Sequence, residues 1–139
     1  MTVRFKPLPA PGDIVWCHFP EIIGKPGPKA RPALVTAVFD DDYAIRVAYG
    51  TSQKTNNLYR GEFVLDPQDA GFALSGLGAR TKFDLGNLFV LPFDSDWFSA
   101  NQGIYASTPL PRMGSMHPSY MLDLQKALSQ ISKKYPRML

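Results

Sequence analysis

Arg31-Pro32-Ala33-Leu34-Val35-Thr36-Ala37-Val38-Phe39 and Tyr43-Ala44-Ile45-Arg46-Val47-Ala48-Tyr49-Gly50-Thr51 are two apolar runs separated by Asp40-Asp41-Asp42. Both runs are short and rich in residues that suit a pleated sheet, and aspartate tolerates turn geometry, so the stretch reads as a β-hairpin. A turn centred on Asp41 sets Ala33, Val35, Ala37 and Phe39 opposite Tyr49, Val47, Ile45 and Tyr43, which makes one apolar face. The same register brings Arg31 opposite Thr51. Directly opposed residues share a face of the sheet and can act on one ligand. A guanidinium beside a hydroxyl at the open end of a hairpin suits a phosphate, provided no bulge shifts the register between them.

Working outward, Ile14 to Phe19 alternates as a first strand, with Val15, Cys17 and Phe19 on the core face and Ile14, Trp16 and His18 on the other. Gly24 to Ala30 is too rich in glycine and proline for regular structure and is read as a loop delivering the chain to Arg31. Pro32 lacks an N–H and suits only the first residue or an edge of its strand. The polar stretch 51–61 reads as a second loop and Glu62 to Leu65 as a strand. Asp66-Pro67 predicts a capped short helix over 67–75. Two further strands are expected at 79–84 and 88–93, and 94–115 reads as irregular. Met121, Leu124, Leu128 and Ile131 recur at helical spacing after Pro118, predicting an amphipathic helix over about 118–134 with Lys126, Lys133 and Lys134 toward its C-terminal half. The fold class is α+β and mainly β: a small, strongly bent antiparallel sheet with a C-terminal helix.

The chain of 139 residues is one domain's worth, with a hydrophobic share of 45% that allows a core. A single cysteine, Cys17, cannot form an intrachain disulfide and fits a reducing compartment. No stretch suggests a signal peptide or a membrane span, so the cytoplasm is the expected location. The net charge of +3 is modest, but its distribution is uneven. Segments 24–31, 51–60 and 79–82 hold Lys25, Lys29, Arg31, Lys54, Arg60, Arg80 and Lys82 and no acid. The three turn aspartates lie at the far end of the hairpin, roughly 25–30 Å away at ~3.3 Å per residue. That exceeds a Debye length of about 8–10 Å, so the basic end keeps its own field.

Gly12-Asp13-Ile14-Val15-Trp16, Lys29-Ala30-Arg31-Pro32-Ala33-Leu34-Val35, Tyr49-Gly50-Thr51-Ser52-Gln53 and Arg80-Thr81-Lys82-Phe83-Asp84-Leu85, in that order, resemble the MazF/PemK family of bacterial toxins. The resemblance covers about residues 11–93, with a counterpart to the C-terminal helix. It implies an SH3-like barrel of the CcdB/MazF/PemK type that forms a homodimer around an RNA groove. It further implies metal-independent endoribonuclease activity on single-stranded mRNA at short sequences, and inhibition by an acidic antitoxin. The family's arginine before proline and its strand-terminal threonine correspond to Arg31 and Thr51, the pair reached above from hairpin register. The chain departs from the family in the Lys25-Pro26-Gly27-Pro28-Lys29 loop, where relatives often carry histidine, glutamate or glutamine. It departs again at Gly76-Leu77-Gly78, where some relatives use an arginine–aspartate pair.

Arg31 and Thr51 are therefore the expected catalytic residues, with Lys25, Lys29, Ser52, Gln53, Lys54, Arg80 and Lys82 as the expected RNA-binding set. Arginine presents a planar fork of donors to a phosphate, and threonine adds a further donor. Neither is a base near neutral pH, and the sequence offers no evident general base. Competing readings are a strand-end ion pair of Arg31 with Glu21 and a packed histidine at His18. Cys17 reads as a buried, inert thiol. The two histidines and one cysteine lack metal-ligand spacing, and no cofactor motif is present. Two other functions stay open. One is a toxin-fold inhibitor of a protein target, of the gyrase-poison type, for which exposed aromatics at Trp97-Phe98 would speak. The other is a plain SH3-like binding module.

Overall fold

The computed structural model describes residues 1–100 and 110–131. Its strands are β1 (Asp13–Cys17), β2 (Arg31–Phe39), β3 (Ala44–Thr51), β4 (Glu62–Leu65), β5 (Thr81–Pro92) and β6 (Arg112–Ser115), followed by the helix α1 (Met121–Ile131). They form one antiparallel sheet in the order β4-β5-β3-β2-β1-β6, so the central hairpin β2–β3 is the middle of the sheet. The architecture is α+β and mainly β, as expected. The sheet does not close, and β4 and β6 remain as its edges.

Both faces of the sheet are covered. On one, Ile14, Leu34, Ala48, Phe63, Leu65 and Phe83 pack with Ala127 and Ile131 of α1. On the other, Val15, Cys17, Ala33, Val35, Ile45 and Val47 pack with Phe93 and Phe98. Ile14 is thus fully buried, contrary to the single-core reading of strand one. The alternation holds, but a second apolar layer covers the other face as well.

The hairpin keeps the expected register over Ala33 to Val35 and loses it beyond. Ala33, Leu34 and Val35 face Tyr49, Ala48 and Val47 as expected. A bulge at Thr36 then shifts the pairing, so that Ala37 faces Arg46, Val38 faces Ile45 and Phe39 faces Ala44. The extra residue is held by its own hydroxyl, which donates to the Arg46 carbonyl at 3.2 Å and accepts from Arg46 Nε at 2.9 Å. Val38 therefore takes the core place expected for Ala37, and Phe39 is left exposed. Pro32 stands second in β2, opposite Trp16, whose N–H goes instead to the Pro111 carbonyl at 2.9 Å.

Four other expectations are revised. The segments 79–84 and 88–93 belong to one long strand, β5, whose two halves both pair with β3 around an extruded Leu85-Gly86-Asn87. The 67–75 helix shrinks to a 3-10 turn at Phe72–Ser75; Asp66 caps only a turn, its Oδ1 accepting from Gln68 N at 2.9 Å. The first strand ends at Cys17, two residues early. The region 94–115 contains β6, which lies against β1. Helix α1 is preceded by a 3-10 turn at Pro118–Tyr120, and Lys133 and Lys134 fall outside the described residues. No helix among the described residues is long and apolar enough to cross a membrane.

Candidate active site

Arg31 opens β2 and Thr51 closes β3, each two residues beyond the Ala33–Tyr49 pair and on its face. Carried two residues past that pair, the same register sets Arg31 and Thr51 across from each other on neighbouring strands. The row continues in both directions: Cys17 pairs with Arg31, Thr51 with Lys82, and Lys82 with Val64. Two residues further in, the next row on this face is Val15, Ala33, Tyr49, Asp84 and Glu62. Tyr49 packs on the buried Phe19 ring at 5.1 Å between centroids, giving the site an aromatic floor.

Arg31 is half-buried, and among the described residues its guanidinium has no ion-pair partner; Glu21 is exposed and does not meet it. The Thr51 hydroxyl accepts from the Gln53 backbone N–H at 3.1 Å, which leaves its own proton available to a ligand. Gly50, between these rows, has no room for a side chain without local shifts: a Cβ there would lie 2.6 Å from the Phe83 ring and against the Pro32 carbonyl.

Of the expected RNA-binding set, Lys25, Lys29, Ser52, Gln53 and Lys54 are exposed in the two loops that flank the pair. Arg80 and Lys82 are placed differently. Arg80 is ion-paired with Asp66 and donates to the Thr55 carbonyl at 3.3 Å. Lys82 is buried, its ammonium 3.1 Å from Glu62 Oε1 and 2.9 Å from the Asn57 carbonyl. The acid-free segment 79–82 is neutralised by acids from β4 and the turn after it, so the basic surface is made by Lys25, Lys29, Arg31, Lys54 and Arg60.

One group was missed in the sequence. Asp84 lies opposite Tyr49 and diagonal to Thr51 on the same face. Burial pushes its carboxyl above the ordinary carboxylate value; the Gly86 N–H bond at 2.8 Å opposes this, nearby Glu62 adds to it and Lys82 offsets it. A half-buried carboxylate of raised pKa on the face that carries Arg31 and Thr51 is a candidate for proton transfer.

The remaining candidates are structural. The Gly27 carbonyl can only accept, so His18 Nδ1 donates to it at 3.1 Å, while Nε2 lies 2.5 Å from Ser99 Oγ. His18 thereby pins the Gly24–Ala30 loop, and Gly27 N returns a bond to the His18 carbonyl at 3.0 Å. Cys17 is buried and free, and burial pushes its thiol up, away from nucleophilic use. Phe98 is buried and Trp97 half-buried in the core, so they offer no exposed aromatic surface. Among the described residues no group of three His, Cys, Asp or Glu side chains could hold a metal ion.

The fold, expected from the MazF/PemK resemblance, is shared with two solved endoribonucleases. A solved endoribonuclease from a mycobacterial species superposes with a TM-score of 0.53 at 14% identity, over 91% of this chain and 92% of that one. A mycobacterial endoribonuclease in complex with its cognate antitoxin superposes with a TM-score of 0.52, also at 14% identity, over 87% and 91%. No family model matches the sequence. No curated protein matches it either.

Proposed function

We propose that this chain is the toxin of a toxin–antitoxin pair and an endoribonuclease that cuts single-stranded RNA without a metal ion. The carrying observation is the convergence of Arg31, Thr51 and Asp84 on one face, at the end of the sheet flanked by the basic loops. The shared fold with two mycobacterial endoribonucleases supports it.

In this reading Arg31 and Thr51 hold the scissile phosphate through its non-bridging oxygens, where charge grows as the transition state forms. The Asp84 carboxylate takes the proton of the ribose 2′-hydroxyl. That oxygen bonds to phosphorus, the P–O5′ bond breaks, and the departing 5′-oxygen is protonated by water. The products are a 2′,3′-cyclic phosphate and a 5′-hydroxyl. Alignment and electrostatics supply most of the rate. Purified protein should cut single-stranded RNA with EDTA present and leave the cyclic phosphate, while DNA, lacking the nucleophile, survives. Failure to cut any RNA in a randomised pool would remove this reading.

The partners follow from the same reading. An acidic antitoxin would cover the basic loops, in keeping with the neighbour solved with its cognate antitoxin. A homodimer would complete the RNA groove; sedimentation equilibrium showing only a 15.4 kDa species at micromolar concentration would speak against it.

A further inference from the structure

The row of residues that carries Arg31 and Thr51 does not stop at Lys82. It ends at Val64 on the edge strand β4, and around that edge, between the 58–60 loop and α1 of the opposite face, a cavity of about 410 Å³ opens. Its lining includes Tyr59, Arg60, Glu62 and Val64 on one side and Lys126 and Gln130 of α1 on the other. Thr51 and Val64 are two strand spacings apart, about 10 Å at ~4.8 Å each, so the cavity's edge lies close to the Arg31–Thr51 end of the sheet.

The chemistry of the lining selects among ligands. Tyr59 is 71% exposed and offers its ring to solvent, with the Lys82 ammonium 5.5 Å from the ring centroid. Arg60 and Lys126 share the lining with Glu62 and Asp123, so the cavity carries charges of both signs rather than the purely basic lining a polyphosphate would need. The outer side of β4 has no strand partner and leaves backbone N–H and C=O groups for a ligand. A flat, neutral ring bearing donors and acceptors fits all of this, because bases unstacked from single-stranded RNA are read by aromatic stacking and edge hydrogen bonds. The cavity is also preformed. Gly61 N donates to Gln130 Oε1 at 2.9 Å, Tyr59 N to Glu62 Oε1 at 2.7 Å, and Glu62 N to the Tyr59 carbonyl at 3.1 Å, tying the loop to both strand and helix.

We propose that this cavity is a base subsite: it takes one unstacked RNA base next to the scissile phosphate, stacked on Tyr59 and enclosed by α1. The proposal rests on the ribonuclease reading, and its test separates the two. The probe is a short single-stranded oligonucleotide with 2′-deoxyribose at every position, which cannot be cleaved, carrying 2-aminopurine at successive positions. Wild-type protein should change the probe's fluorescence most at one position. Tyr59→Ala should weaken its binding about 10-fold and abolish that positional response, while Tyr59→Phe retains both. In parallel, sequencing the ends cut from a randomised RNA pool should show Tyr59→Ala losing preference at one base, whereas Arg31→Lys slows cutting with the preference intact. Binding and preference that are both unchanged in Tyr59→Ala overturn the subsite. A Tyr59-dependent fluorescence response without any RNA cleavage keeps the subsite and removes the ribonuclease reading.

Discussion

Lys82 and Glu62 form an ion pair inside the protein, 3.1 Å between Nζ and Oε1, with side chains only 7% and 10% exposed. The pair lies directly beside Thr51 in the sheet and ties β4 to β5 at that end. Removing one partner strands the other charge in a buried place. Lys82→Met should therefore destabilise the fold by about 3–5 kcal/mol, whereas the double variant Lys82→Met/Glu62→Leu should recover most of that loss. Urea melts of the three proteins check this; equal stability of wild type and Lys82→Met would show that the pair is not structural.

Asp84 couples stability to chemistry with a definite sign. Its folded pKa is raised above 3.8, so the folded state holds the proton more tightly than the unfolded chain. Its contribution to stability is full below the unfolded pKa and is lost as pH rises through the folded one. Asp84→Asn removes that loss. The variant should melt higher than wild type at pH 7, with the difference fading toward about pH 3. It should also cleave RNA about 10²–10⁴-fold more slowly, as expected on losing a general base. A variant that is both less stable and fully active would contradict both assignments.

Gly50 sets the spacing between β2, β3 and β5 next to the site. Gly50→Ala forces its Cβ against the Phe83 ring and the Pro32 carbonyl. A cost of about 1–3 kcal/mol is expected from such overpacking, with a larger proportional loss in cleavage as Arg31 and Thr51 separate. Thermal melts and initial rates on the same preparation measure the two effects.

Salt dependence counts the cations that reach RNA. With Arg80 and Lys82 held by Asp66 and Glu62, five of the seven basic residues of segments 24–31, 51–60 and 79–82 are left to meet RNA: Lys25, Lys29, Arg31, Lys54 and Arg60. The slope of log affinity against log salt should then not exceed about 3.5 for single-stranded RNA, at ~0.7 per neutralised phosphate. Titrations between ~50 and ~200 mM salt give the slope, and a value near zero would point to a protein target.

The site was legible in the sequence where alternation alone decides the outcome. Ala33, Val35, Val47 and Tyr49 define a face, and that face carries Arg31 and Thr51 with it. The same reasoning failed beyond Thr36, because the bulge is set by a side-chain exchange with Arg46 that periodicity does not encode. Gly86-Asn87 looked like a break between two strands, yet β5 continues past it because Leu85 buries its side chain and its N–H bonds the Gly61 carbonyl at 2.8 Å. Strand β6 has no alternation of its own and exists because β1 offers it an edge. Lys82 looks like a surface cation in the sequence because its partner lies 20 residues away in the chain. Asp84 was overlooked because its shifted pKa arises from burial and from neighbours that only the folded sheet assembles.

The central claim is that Arg31 and Thr51 together hold the phosphate being cleaved. Arg31→Lys keeps the charge but loses the planar fork, and Thr51→Val keeps the shape but loses the donor. Single-turnover cleavage of a single-stranded RNA in EDTA, with melting curves to confirm intact folds, measures their contribution directly. Each variant should slow the chemical step by about 10²–10³, comparable to losing one donor to a developing oxyanion. Cleavage at the wild-type rate by both folded variants would contradict the account.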